Sequence, residues 1–387
     1  MNHSISEIMF SLIRFSVCGE ELPKWVPDSL TPQALSELYN LSKRQDIAHI
    51  LADALLTKKL IPDGEIKNLY LKEQMTSVFR HAQIKHELAK IYRALDEAEI
   101  RYMPLKGSVI RNYYPKPELR TSCDIDIFVD KADVDLAASV FIDKLSYRFD
   151  VRTQHDIAYF SQSKTHIELH YDLTDEDVKA EEMLSHVWDE SFYDAPSNYR
   201  ALMNNEMFVA YHIAHMAKHF LHGGCGIRPF IDLWIMENKM GYDREKTFAL
   251  LDIGGLSEFA KQAILLSRVW LSNAEHTDMT REVEDYILDA SIYGNIENRV
   301  AISQSNRGNR FKYIIGRIFL PYGKLKKIYP NLEKYPVLLP FYEVKRWFRM
   351  IFRKNTSRAI SELKATGNIN SEKQKRILLM LDRLGLN

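Results

Sequence analysis

Residues 124–129 read Asp-Ile-Asp-Ile-Phe-Val. Acid and apolar side chains alternate through the first four positions, which is the period of a strand with unlike faces. Such a strand sets Asp124 and Asp126 on one face, two residues apart. This constrains the fold more than any other segment. The apolar face needs a layer of helices over it. The acid face needs water or cations beside it, because neighbouring carboxylates repel.

The flanks read differently. Residues 1–98 are helical in pattern. Pro32–Leu56 carries Leu35, Leu38, Leu41, Ile47, Ile50 and Leu51 at helical spacing, and a long helix is expected over 65–97. At Ile100 the texture changes. A short strand, Arg101–Pro104, runs into Leu105-Lys-Gly-Ser, and a short helix ends near Tyr114 before the loop of Pro115 and Pro117. A helix is expected at 131–145, and strands at 147–152, 157–161 and 166–171. From about Asp175 the pattern returns to helix, clearest at 205–221 and 227–240 on either side of Gly223-Gly224-Cys225-Gly226. Further helices are expected at 243–253, 256–273 and 279–290. Prolines at 321, 330, 336 and 340 break the tail, which ends in helices near 341–353 and 371–384. The expectation is an α+β protein with a small mixed sheet between helical regions. Its divisions are an N-terminal helical region (1–98), the core (99–175), a helical domain over the cleft (176–306) and a basic helical tail (307–387).

No window approaches the roughly 18 uninterrupted apolar residues of a membrane span. The first residues lack a basic run ahead of an apolar one, so no signal peptide is expected. Cys18, Cys123 and Cys225 are far apart and odd in number, which fits reduced thiols in a cytoplasm. The 387 residues carry 52 basic and 52 acidic side chains, yet Arg307–Lys354 alone has 13 Lys/Arg against Glu333 and Glu343. That local net of +11 leaves the rest at −11, so the block suits an anionic partner or the acidic part of its own chain.

Three features inside the core carry chemistry in order. Gly107-Ser108 sits where a strand turns into a helix, allowing close backbone approach and free N–H groups toward phosphate. Asp124 and Asp126 follow on their strand. Glu168 lies between apolar Ile167 and Leu169 on a later one. Three carboxylates gathered from adjacent strands suit Mg²⁺, with Mn²⁺ as the alternative ion, together with substrate phosphates. The competing explanation is a surface loop, a solvated strand edge and a structural acid.

The run LKGSVIRNYYPKPELRTSCDIDIFV, followed by THIELHYDL, resembles the nucleotidyltransferase superfamily with a DNA-polymerase-β-like core. More narrowly it resembles the bacterial group labelled uncharacterised nucleotidyltransferase. The likeness extends to LYNLSKRQDIAHILADAL, to GIRPFIDLW and to KIYPNLEKYPVLLPFYEVKRWF. It implies that Gly107 and Ser108 hold an NTP's triphosphate and that Asp124 and Asp126 bind Mg²⁺. It implies that Glu168 is a third metal ligand or the base that deprotonates an acceptor. The gap from Ser108 to Asp124 is longer than in minimal antibiotic-modifying members and closer to abortive-infection types. The acceptor, a hydroxyl or a phosphate, therefore stays open. So do an RNA or protein acceptor, with nucleic acid held by 307–354, and a non-catalytic nucleotide-binding role.

Lys106 and Arg120 are weaker candidates for phosphate contact, with a solvated turn lysine and structural pairing as their alternatives. His212, His215, His219 and His222 follow i, i+3, i+7 and i+10 along one helical face. His215 and Lys218 are placed there as nucleotide contacts opposite the carboxylates. Zn²⁺ on this ladder and plain inter-helix hydrogen bonding are the alternatives. Arg228 and Asp232, four apart, suggest a helix-surface ion pair. His170 and Asp172 continue the Glu168 face at period two.

Overall fold

In a computed structural model of the chain, the described residues are 3–174, 180–195, 199–289, 298, 300, 302, 319–320, 322–329, 331–352 and 371–386. The first helices are α1 (Ile5–Ile13), α2 (Val26–Ser29), α3 (Pro32–Arg44), α4 (Ala48–Thr57) and α5 (Glu65–Glu97). Ser4 caps α1 reciprocally with Glu7. The apolar period over 32–56 is interrupted between α3 and α4. Buried Gln45 donates to the Ile287 carbonyl and accepts from the Ile227 N–H, and Asp46 takes a left-handed φ of 52°. These long-range bonds outweigh the local preference to continue the helix. α5 keeps its expected bounds and spans about 50 Å.

The sheet is mixed. Its strands are β1 (Tyr102–Pro104), β2 (Asp124–Val129), β3 (Arg148–Arg152), β4 (Asp156–Phe160) and β5 (His166–His170), in the order β1-β2-β5-β4-β3. β2 and β5 run parallel, and every other neighbouring pair is antiparallel. α6 (Gly107–Ile110) follows β1, and α7 (Val134–Ser139) follows β2. One sheet face is apolar: Ile125, Ile127 and Val129 pack with Ile167 and Leu169 against Ile84 and Ile91 of α5. The other face carries Asp124, Asp126, Glu168 and His170.

The chain does not return directly to long helices after the sheet. The short α8 (Glu181–Ser185) leads into a hairpin of β6 (Ser191–Tyr193) and β7 (Ala201–Met203). Strands of three residues are too short to show a period. They form because the adjoining chain docks on the sheet edge, with Tyr102 N–H donating to the Tyr199 carbonyl. Then come α9 (Asn205–Leu221), α10 (Arg228–Ile235), α11 (Arg244–Ile253), α12 (Ser257–Ser272) and α13 (Asp278–Leu288). One apolar cluster joins Ile13 of α1 and Leu51 of α4 to Phe220 of α9 and Phe259 of α12.

The basic block 307–354 is described only over 319–320, 322–329 and 331–352, and its other positions lie outside the described residues. Helices there cover Tyr322–Ile328, Asn331–Lys334 and Leu339–Phe352, around Leu325, Leu332 and Tyr342. The last helix, Ser371–Arg383, reaches Glu282 of α13 through Arg376 and Arg383. Among the described residues no helix is long and apolar enough to cross a membrane.

A buried ion pair ties the core to the helices. Arg120 Nε donates to both Asp232 oxygens at 2.7 and 2.9 Å, and Tyr114 Oη donates to Asp232 Oδ1 at 2.7 Å. Asp232→Ala leaves the Arg120 cation buried without a counter-charge. It is expected to lower unfolding stability by ~3–5 kcal/mol in urea titration. A loss below ~1 kcal/mol would show that this pair is not a structural tie.

Candidate functional site

β1 ends beside β2, and the Leu105 N–H donates to the Asp126 carbonyl at 3.1 Å. The next residue, Lys106, is thereby set against the Asp126 side chain. Its backbone takes φ 46° and ψ −122°, a sparsely populated region for a residue with a Cβ. Lys106 Nζ lies 2.8 Å from Asp126 Oδ1. From β5, His170 Nε2 lies 2.9 Å from the same oxygen and 3.3 Å from Glu168 Oε2.

The strand register explains this convergence. Asp126 stands opposite Glu168 across the parallel β2–β5 pair, and Phe128 stands opposite His170. Because alternate residues share a face, Asp124, Asp126, Glu168 and His170 all project from one side of the sheet. Among the described residues, Asp126, Glu168 and His170 form the group of three metal-competent side chains, with ligand atoms within 4.8 Å of one another. His170 therefore sits in direct contact with both acids. The period-two face on which it lies was the available signal.

Burial acts first on each charge here. It works to raise the Asp126 pKa, but Lys106 and His170 outweigh it and hold Asp126 well below the usual carboxylate range. Asp124 is raised by burial and then by the Asp126 charge, with Lys106 opposing. Burial works to lower the His170 pKa, yet its hydrogen bonds to Asp126 and Glu168 raise it overall. One acid of the face is thus firmly ionised, while its neighbour two residues away is easier to protonate.

Above this face lies a cleft of about 370 Å³, whose walls include Lys106, Asp124, Glu168, His170, His215 and Lys218. A smaller cavity of about 170 Å³ shares Lys106, Asp124 and His215, and adds Gly107, Arg120 and Asp126. The structure therefore brings most of the expected site residues around connected space. Gly107 is packed closely. A Cβ there would meet Arg111 Nη2 at 3.3 Å and Arg120 Nη1 at 3.5 Å.

Three expected contacts are placed differently. Ser108 Oγ is buried without a hydrogen-bond partner among the described residues, and Ser108 lines a separate cavity behind α6. Arg120 is paired with Asp232, not with the carboxylates of β2. Arg228 and Asp232 do not form the anticipated pair with each other, since Arg228 reaches Asp46 at 2.9 Å. Tertiary partners displaced a helix-surface contact worth only a few tenths of a kcal/mol.

The histidine ladder splits into separate bonds. His212 Nε2 meets the Pro229 carbonyl at 3.0 Å, and His222 Nδ1 meets the Lys218 carbonyl at 2.8 Å. His215 and His219 face each other through Nε2 atoms 3.0 Å apart. One ring donates and the other accepts, so at least the accepting ring is neutral. Burial, then the Lys106 cation, pushes His215 well below its ordinary value and His219 to about 4.

An α+β chain whose sheet lifts carboxylates to the floor of a cleft rimmed by lysines belongs chemically with proteins that handle phosphate esters. The family model described as uncharacterised nucleotidyltransferase matches residues 31–272, from the residue before α3 to the end of α12, and the chain belongs to that family. No curated protein and no solved structure matches the chain.

The His215–His219 bond gives a pH expectation. An unfolded imidazole titrates near 6.5, above the folded value for His219. This contribution to stability is fully present above about pH 6.5 and is lost as pH falls toward about 4. Urea midpoints measured from about pH 7 down to 4.5 should fall less steeply in His219→Gln than in wild type. Equal slopes would remove these rings as the cause.

Proposed function

We propose that the chain is a divalent-metal-dependent nucleotidyltransferase that moves a nucleoside monophosphate from an NTP to a hydroxyl or phosphate acceptor. The observation that carries this reading is the in-register Asp126–Glu168 pair, with Asp124 on the same face, opening on the lysine-rimmed cleft. Family membership supports the reaction class.

The donor set fits a hard cation. Asp124, Asp126 and Glu168 offer carboxylate oxygens, which Mg²⁺ prefers, and the nearby His170 nitrogen is compatible with Mn²⁺. Asp126 Oδ1 already takes Lys106 and His170, leaving Oδ2 without a hydrogen-bond partner among the described residues. When bound, such an ion neutralises phosphate charge and polarises the phosphoryl group.

The chain's own residues do the rest. Lys106 keeps Asp126 ionised and oriented, and its ammonium lies where the triphosphate would enter. The Gly107 backbone, free of a Cβ, lets phosphate oxygens approach the turn. His215 and Lys218 face the carboxylates from α9 and bound the nucleotide's path. In the transfer, the acceptor oxygen bonds to the α-phosphorus while the bond to the bridging oxygen breaks. Pyrophosphate leaves, and a hydroxyl acceptor's proton passes to Glu168, which is more exposed than Asp126.

Labelled NTP, Mg²⁺ or Mn²⁺ and a cell extract should yield a labelled product with wild-type protein. Asp124→Ala and Asp126→Ala, with folding confirmed by circular dichroism, should reduce labelling to background. Full labelling by both variants would overturn the assignment. A nucleic-acid acceptor is the second reading. It is favoured by the helix Leu339–Phe352, which exposes Phe341, Lys345 and Phe348. It requires RNA binding that weakens steeply between low and moderate salt, and salt-independent or absent binding removes it.

A further inference from the structure

The cavity behind α6 is separate from the carboxylate cleft and holds about 500 Å³, a size that admits a small ligand. Its walls include Lys85, Tyr92, Ser108, Arg111, Tyr113 and Arg200. Arg111 is only 3% exposed, yet its partners are neutral: the Gly107 carbonyl at 2.5 Å and the Ser122 hydroxyl at 2.9 Å. Among the described residues its Nη1 has no hydrogen-bond partner. Ser108 is 7% exposed, and its Oγ has none either among the described residues.

A buried cation without a counter-anion is costly, and so is a buried hydroxyl without a partner. The acid on this wall, Asp194, is already paired with Arg200. Lys85, Arg111 and Arg200 therefore outnumber the acids among the described lining residues by two. Burial, then repulsion from Arg120, lowers the Arg111 pKa to about 10, which leaves it charged at neutral pH. A water molecule would satisfy Ser108, but it would not neutralise Arg111. A tetrahedral anion supplies the missing negative charge, since its oxygens accept from the guanidinium and ammonium groups on the cavity wall. Tyr92 and Tyr113 supply apolar ring surface for whatever carries the anion.

We propose that this second cavity binds a phosphate group, free or carried on a small molecule, with Arg111 and Lys85 as its cationic contacts and Ser108 on the inner wall. The site lies on the far side of Gly107 from the carboxylates and does not depend on the nucleotidyl-transfer reading.

The test is calorimetric titration of the full chain in metal-free buffer with ribose 5-phosphate and with inorganic phosphate. Arg111 also supports Gly107 and Ser122, so Arg111→Lys alone is an unsafe probe. Lys85 is exposed on α5, and Lys85→Glu preserves the core. Binding should weaken about tenfold or more in Lys85→Glu and in Arg111→Lys, and should persist in Lys218→Ala on the cleft. Tighter binding of ribose 5-phosphate than of phosphate supports a phosphorylated small molecule, and equal binding supports free phosphate. Absence of binding by wild-type protein overturns the proposal. So does a Lys85→Glu variant that binds like wild type, or loss of binding in Lys218→Ala, which would put the anion in the cleft.

Discussion

A carboxylate carried into a protein interior stays ionised only beside compensating charge. Asp126 meets this condition through Lys106 and His170, which share one of its oxygens. Each partner arrives from a different element: Lys106 from the turn after β1, and His170 from the end of β5. The sheet order sets both. β2 lies between β1 and β5, so its central acid is flanked by the two strands that deliver its partners. The strained Lys106 backbone belongs to the same arrangement, because the chain must turn sharply there to enter α6.

The turn around Gly107 separates two spaces. Toward α9 lies the cleft with the acids, and behind α6 lies the cavity with Arg111 and Ser108. Arg111 spans the wall between them. It holds the Gly107 carbonyl, and it holds Ser122, whose hydroxyl in turn donates to the Asp124 carbonyl at 2.9 Å. Gly107 is closely packed here, since a Cβ would press on the Arg111 guanidinium.

The helices fix the cleft from outside. Asp232 of α10 takes Arg120 and Tyr114 from the core, and Arg228 of the same helix takes Asp46 from the α3–α4 turn. Breaking α3 from α4 at Gln45 is what brings Asp46 to Arg228. These polar ties lie beneath an apolar cluster that joins the N-terminal helices to α9 and α12. They orient α9, and with it His215 and Lys218, over the sheet.

Local pattern sufficed for α5, for β2 and for α9, whose bounds follow from period, caps and breakers in the chain itself. It also sufficed to put Asp124 and Asp126 on one face and Glu168 on a later strand, because side-chain direction alternates strictly along a strand. Period could not supply the β6–β7 hairpin, whose three-residue strands exist through docking against β1. Nor could it show that β2 and β5 are neighbours, which decides that Asp126 meets Glu168 and His170. Spacing suggested an Arg228–Asp232 contact and a phosphate role for Arg120, but the fold paired Arg120 with Asp232 across 112 residues. Residue types and their alternation are properties of the chain, whereas partners distant in sequence are set by the packing that buries them, where an unpaired charge costs most.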